Sequence, residues 1–415
     1  MALESVVIVG AGQGGCQVAA SLRQRGYWGE ITLVNGEPGL PYQRPPLSKG
    51  YLLGKVDAPR LLLRQEHWYS KQRVDLISDQ VTAIDRAGHS LHLAGGRMIT
   101  YDHLVLATGS RNRDLPIPGA HLDGVIGMRT RADADSLAGR VTDRTSVVVI
   151  GAGFIGLEFA AVAAALGATV QVIELADRPM ARAASAATST FFLDAHEGWD
   201  VRIGLGQGVL SISGENGAAT SATLTDGRVI PADLIVYGIG VLPETGLAEQ
   251  AGLGIDNGIQ VDGQLLTEDR DISAIGDAAS FPSAHAGGRM IRLESVQNAA
   301  DQARHVAARL TGETAAYDAL PWFWSDQGDL KLQIAGLAEP ADDSVVLTKQ
   351  EPRQQTVLRY RGDQLVAVET VNRPGDHMLA RRILGGDHAP TRAEATTAGF
   401  DLKAWHDAQD LVASI

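Results

Sequence analysis

Cysteine is almost missing from this chain of 415 residues, with Cys16 the single thiol. One thiol cannot close an internal redox disulfide, which excludes the Cys-x-x-Cys chemistry of disulfide reductases. Nor can it supply the thiolates of an iron–sulfur cluster or of a cysteine-rich zinc site. Any redox chemistry has to come from a bound organic cofactor, and no metal site is expected. Positive charge is also in deficit: 36 Lys and Arg stand against 49 Asp and Glu, a net charge of −13 with no basic block. That balance argues against a general nucleic-acid binder, although a local basic patch can still meet an acidic partner. Long apolar runs are lacking as well. The stretch Thr145–Ile150 ends at Gly151, far short of the ~20 residues that cross a bilayer, so no membrane span is expected. The strand-like segment Val6–Val9 begins close to Met1, which leaves no room for a secretory signal and implies a soluble, cytoplasmic protein. Nothing demands more than a monomer or a weak dimer.

What the chain does have is 45% hydrophobic residues and 47 glycines, enough for two or three domains with many tight turns. Two segments look alike: VVIVGAGQGG over residues 6–15 and VVVIGAGFIG over residues 147–156. Each runs from β-branched residues into G-x-G-x-x-G and then an alanine-rich stretch, which reads as strand, turn and helix. The helices are expected at about Gly14–Arg25 and Gly156–Leu166, followed by second strands at Glu30–Val34 and Thr169–Ile173. In the first unit Gly10 permits the tight turn, Gly12 lets the backbone approach a pyrophosphate, and Gly15 allows close helix–strand packing; Gly14 lies in the same turn. Gly151, Gly153 and Gly156 repeat that logic, with Ile155 between them. Short apolar runs ending in glycine recur at Asp102–Ser110 and Asp271–Asp277, the form of buried parallel strands whose C-terminal ends face a ligand.

These signals predict an α/β chain with two Rossmann-like nucleotide-binding domains and a small α+β C-terminal domain. The first domain is discontinuous, 1–112 and 243–320; the second is inserted at 113–242; the third spans 321–415. In the last, alternation at Lys331–Ile334, Ser344–Leu347 and Gln364–Val368 suggests a small antiparallel sheet with closing helices.

Glu174 follows the second strand of the second unit, where an acid accepts a hydrogen bond from an adenosine ribose 2′-hydroxyl and repels a 2′-phosphate, favouring NADH over NADPH. Arg178 nearby opposes this, since it could turn toward a phosphate. Glu37 stands a few residues late for the same role in the first unit. Glu158, placed in the first turn of the second helix, reads on its own as a dipole-complementing acid, and Lys49 as a solvated loop cation. Trp322, Phe323 and Trp324, three rings in a row, read on their own more as core packing than as function.

The segments LPYQRPPLSK (40–49), VLATG (105–109), GAGFIGLE (151–158), AIGD (274–277), RLESVQN (292–298) and PWFWSD (321–326) together resemble, in order, the NADH-dependent ferredoxin reductases of bacterial oxygenase systems, flavoproteins of the glutathione-reductase-like fold without the redox disulfide. The resemblance implies FAD in the first glycine turn and NADH in the second. It places Arg44 and Lys49 along the flavin, Val81 near the adenine, Arg129 against the FAD, Asp277 on the ribityl chain or pyrophosphate, and Val296 at the flavin's pyrimidine edge. Ala107, Thr108, Gly109, Gly240, Gly276, Glu294 and Ser295 fall within or beside the matching motifs. Lys49 and Glu158 would pair beside flavin N5, and Trp324 would cover the flavin edge toward the partner. The partner is implied to be a small [2Fe–2S] ferredoxin or a rubredoxin, steered by cations for which Arg64, Arg304 and Lys331 are candidates. Two other readings stand beside this one: an NADH oxidase, and a flavoprotein whose NADH binding switches a protein interaction.

Overall fold

The computed structural model describes residues 3–347 and 351–413. The chain divides into two compact units: residues 1–43, 58–111 and 241–321 form one, and residues 44–57, 112–240 and 322–415 the other.

The first unit is built on a parallel sheet in the order Ile272–Ala274, His103–Leu106, Ser5–Val9, Glu30–Asn35, Val74–Ser78. Its central strand, SVVIV, is buried from Val6 to Val9, as a strand covered on both faces must be. The helix Gln13–Gln24 packs against Val296–Leu310, with Gly14 beside Ala299, and Ala299, Ala303 and Ala307 are buried. Small residues on both sides let the two axes approach. Ile8, Leu22, Leu33 and Leu104 are fully buried between these layers, each worth roughly 1.5–3 kcal/mol relative to exposure.

The second unit repeats the plan with a parallel sheet ordered Arg202–Gly204, Thr169–Ile173, Ser146–Ile150, Leu234–Tyr237, Val125–Gly127. In both sheets the strand before the glycine turn is flanked by the next strand on one side and a much later one on the other. The connections leave in opposite directions there and open a crevice at the strand's carboxyl end.

The C-terminal part of this unit is an antiparallel sheet of five strands, Trp322–Gln327, Leu330–Gly336, Gln364–Val371, Gln355–Arg361 and Asp343–Val346, with the helix Pro374–Leu384 against it. Three of these strands correspond to the alternating segments expected from sequence. Gln355–Arg361 escaped that pattern because it is buried at almost every position, Arg359 included. Its guanidinium meets Glu369 at 2.7 Å, and Glu369 also accepts from the amide and hydroxyl of Ser185. Removing one partner of such a buried pair costs about 3–5 kcal/mol.

The helices after the glycine turns start earlier than the sequence suggests, at Gln13 and Phe154, because the middle glycine of each motif is the N-cap. Glu158 therefore sits in the second turn of Phe154–Ala165, too far along to complement the helix dipole.

Three buried imidazoles carry a stability cost in acid. Burial holds His103 down to about 3, and His196 and His377 down to about 4, against ~6.5 in an unfolded chain. As pH falls from ~6.5 toward 4 the unfolded state takes up protons that the folded state refuses, so stability is full above ~6.5 and declines through that window. Neither ring nitrogen of His377 has a hydrogen-bond partner. His377→Met should therefore flatten the fall in thermal midpoint between pH 7 and pH 5; an unchanged slope would assign the acid sensitivity elsewhere.

Candidate active site

The first cradle is the turn between Ser5–Val9 and Gln13–Gln24. Gly10 has φ +100°, and a Cβ there would lie 2.3 Å from the Ala107 carbonyl oxygen; one on Gly15 would lie 1.9 Å from the Gly10 carbonyl oxygen. Both positions are closed by backbone. A Cβ on Gly12, by contrast, would meet nothing within 4 Å. That space adjoins the first helical turn, and Gly12 as N-cap offers no side chain to its N–H groups. Four other helices are capped by hydroxyls, Thr130, Ser185, Ser295 and Thr391. Donors left without a protein acceptor beside open space suit an anion such as a pyrophosphate.

Of the other residues expected in this cradle, Glu37, Val81, Ala107, Thr108, Gly109, Gly276 and Asp277 follow strands of the same sheet. Asn35 donates to the carbonyls of Glu37 and Gly39, and the Glu37 carboxylate accepts from the Tyr42 hydroxyl. The Asp79 amide bonds the Asn35 carbonyl, which brings the start of Val81–Asp85 alongside. After Ala107, Thr108 ties its hydroxyl to the Glu244 carbonyl at 2.6 Å, and Gly109 turns at φ +74°. Ser110 donates to Asp277 at 2.7 Å, and Gln302 accepts from the Gly276 amide. Glu294 pairs with Arg292, and Ser295 caps the helix that opens with Val296.

The second cradle repeats the first. A Cβ on Gly151 would lie 2.6 Å from the Gly238 carbonyl oxygen and one on Gly156 2.1 Å from that of Gly151, whereas one on Gly153 would fit without a clash, 3.8 Å from the Gly238 carbonyl oxygen. Gly153 again caps the helix without a side chain. Glu174 accepts from the Ala152 amide at 2.6 Å and from the Ala176 amide at 2.8 Å, so its carboxylate is held at the turn with lone pairs to spare. Arg178 is committed elsewhere: it donates to the Ala181 and Ala184 carbonyls and to Ser189, each at 2.8 Å. The Gly240 carbonyl accepts from the Arg113 amide.

In the same unit Lys49 Nζ lies 3.0 Å from Glu158 Oε1. Glu158 is 5% exposed, and burial pushes its carboxyl up against the opposing pull of Lys49, Ser325 and Ser48. Neither bland reading survives this: Lys49 is largely buried, and Glu158 is packed between the segment Leu47–Tyr51 and the strand Trp322–Gln327. Arg44, close by in sequence, donates to the Arg129 carbonyl at 3.0 Å.

Alternation along Trp322–Gln327 separates the aromatics. Phe323 stacks edge-on against Phe154 at 4.5 Å, on the face from which Ser325 reaches Glu158. Trp322 packs with Arg381 and His377, and Trp324 lies 5.7 Å from Trp322, half-buried. The core-packing reading thus holds for Trp322 and Phe323 and leaves Trp324 the more available ring. Sequence reasoning missed Ser48, Ser325, Gln327 and His196. They are common polar residue types spread over a short segment, a helix and a strand, and nothing local in the sequence marks them.

Gly12→Val should leave the thermal midpoint of the cofactor-free protein unchanged, because its side chain enters open space, yet yield protein that no longer retains flavin. Gly15→Ala should lower that midpoint, because backbone must move. A Gly12→Val protein as yellow as the parent would remove the first turn from the binding site.

Residues 4–303 match the family described as pyridine nucleotide-disulphide oxidoreductase, and residues 322–406 match the reductase C-terminal family. The chain is 48% identical over 400 residues to rhodocoxin reductase of Rhodococcus erythropolis, covering 96% of this chain and 93% of that one. It is 39% identical over 391 residues to putidaredoxin reductase of Pseudomonas putida, covering 92% of each. Among solved structures, the ferredoxin reductase of the CYP199A2 system from Rhodopseudomonas palustris superposes with a TM-score of 0.94 at 49% identity, covering 97% of this chain and 99% of that one. The covalent putidaredoxin reductase–putidaredoxin complex gives 0.94 at 37% identity, covering 98% and 99%. With two glycine cradles and this similarity along nearly its whole length, the chain belongs to the pyridine nucleotide-disulphide oxidoreductase family, among its ferredoxin reductases, enzymes that use FAD and a nicotinamide nucleotide.

Proposed function

We propose that this protein takes electrons from NADH onto FAD and passes them singly to a small iron–sulfur protein, a [2Fe–2S] ferredoxin or a rubredoxin, that feeds an oxygenase. The observation that carries this reading is the pair of open glycine turns in a chain with one cysteine. Two dinucleotides can be held, and with no internal disulfide to reduce, the electrons leave the flavin for an acceptor outside the chain. Relatives named for rhodocoxin, putidaredoxin and rubredoxin, and one structure solved as a covalent complex with putidaredoxin, support the choice of partner. Nothing among them favours an oxidase or an interaction module. Among the described residues no helix is long and apolar enough to cross a membrane, and we place the protein in the cytoplasm.

The first-turn amides after Gly12 and after Gly153 would bind the pyrophosphates of FAD and NADH. Bound flavin supplies the change from two-electron to one-electron chemistry, which no protein side chain provides. Lys49 is the cation we assign to the flavin, where its charge would offset the electrons received. Glu158 keeps that ammonium in place, since either charge buried alone would cost several kcal/mol. Arg44 and Arg129, joined through the Arg129 carbonyl, are assigned to the same cofactor, with Val81, Asp277 and Val296 at its other edges. Trp324 is assigned to the partner-facing edge, with Arg64, Arg304 and Lys331 as steering cations. Glu174 selects NADH, and the three hydrogen bonds that hold Arg178 to the Ala181 and Ala184 carbonyls and Ser189 remove the cation that a 2′-phosphate would need.

With NADH, the enzyme should reduce cytochrome c rapidly only after a [2Fe–2S] ferredoxin is added; equal turnover with oxygen alone would replace this reading with an oxidase. Glu174→Ala should raise the KM for NADH and relax discrimination against NADPH by about tenfold, the effect of losing roughly 1.4 kcal/mol. Unchanged discrimination would take Glu174 out of that role.

A further inference from the structure

The Glu158 carboxylate is reached by more donors than an ion pair with Lys49 requires. Ser48 donates to Oε2 at 2.7 Å, and Ser325 donates to Oε1 at 2.6 Å. Behind Ser325 the contacts continue. Gln327 Nε2 lies 3.3 Å from Ser325 Oγ and 3.7 Å from Met180 Sδ, and Gln327 Oε1 lies 2.9 Å from His196 Nε2. His196 is 0% exposed, and its Nδ1 has no hydrogen-bond partner.

The chemistry of these groups gives the chain one direction. A neutral imidazole has a single N–H, and among the described residues the acceptor that meets the ring is Gln327 Oε1, so Nε2 carries the proton. The Gln327 amide, its oxygen occupied, turns its NH₂ toward Ser325 and Met180. Ser325 Oγ, having accepted from Gln327, has its own hydrogen free for Glu158 Oε1. Each link thus points its positive end toward the carboxylate, and links in such a series polarise one another. A proton on Oε1 would break the pattern, leaving two hydrogens aimed at one another between Ser325 and Glu158.

We propose that Ser325 and Gln327 are positioning residues: backed by His196, they hold Glu158 in place as the anion that anchors Lys49. This rests on the assignment of the Lys49–Glu158 pair to the flavin. Among the described residues of the segment Leu47–Tyr51 and the strand Trp322–Gln327, which pack on its helix, the titratable groups are Lys49, Tyr51, whose hydroxyl goes to Asp135, and Asp326, whose Oδ2 is 3.9 Å from Lys49 Nζ. The strands Ser146–Ile150 and Thr169–Ile173, packed on the same helix, carry no titratable side chain. Burial acts against the anion, so loss of one charge-assisted donor should move its titration up.

Two readouts on the flavin-loaded enzyme test this. The first is infrared titration of the protonated carboxyl band that Glu158→Gln abolishes; the second is the pH profile of flavin reduction by NADH. Ser325→Ala should move both upward by about one pH unit, and Ser325→Thr, which restores the hydroxyl, should return them to the parent values. If Ser325→Ala fails to fold, Ser325→Cys, similar in size but a weak donor, should give the same upward direction. An infrared titration in Ser325→Ala or Ser325→Cys identical to the parent overturns the proposal. A moved infrared titration with an unmoved rate profile upholds the positioning role and overturns instead the placement of Glu158 beside the flavin.

Discussion

Two helices in this protein begin on glycine with no side chain to satisfy their first N–H groups, and much of the structure follows from that constraint. At four other helix starts the chain supplies a hydroxyl, from Thr130, Ser185, Ser295 and Thr391. After Gly12 and Gly153 it does not, and uncapped amides beside empty space are tolerable only where water or a ligand oxygen can take them. The flanking glycines make that arrangement possible. Gly10 and Gly15, like Gly151 and Gly156, are closed in by backbone, which keeps each turn tight, while the N-cap glycine between them carries no side chain of its own to occupy the amides.

The second organising element is a charge that the fold buries and then surrounds. Lys49 comes from a short wound segment, Glu158 from the second turn of a helix, Ser325 and Gln327 from a strand, and His196 from the helix Ala186–Glu197. Five side chains from four elements, Glu158 among them, form one connected network in the second unit. Hydrogen bonds and the ammonium offset the desolvation of Glu158, and the result is an ion pair whose geometry is set by packing rather than by solvent.

How much of this was legible beforehand can be judged residue by residue. The two strand–turn–helix repeats could be read because β-branched runs and glycine spacing are local properties, and the resemblance of six short motifs pointed to the redox class. Glu158 was singled out, but one turn too early, because the N-cap falls on the middle glycine and not on the last. Arg178 could not be resolved from sequence: an arginine near Glu174 can face a phosphate or its own backbone, and only the coordinates show its three bonds to Ala181, Ala184 and Ser189. The strand Gln355–Arg361 stayed hidden because its burial depends on Glu369, which pairs across the sheet.

The sequence by itself determined what is encoded over a few neighbouring residues: the absence of disulfide chemistry, two dinucleotide turns, their order in the chain and the acid beside the second. Tertiary structure decided which polar side chains meet. Ser325, Gln327 and His196 carry no signature of their own, since serine, glutamine and histidine are common at many kinds of position. Their role arises because a strand, a helix and a loop more than a hundred residues apart bring donors within 3.3 Å of one another around a buried carboxylate. Burial makes each of those groups depend on the next, and burial is a property of the folded chain alone.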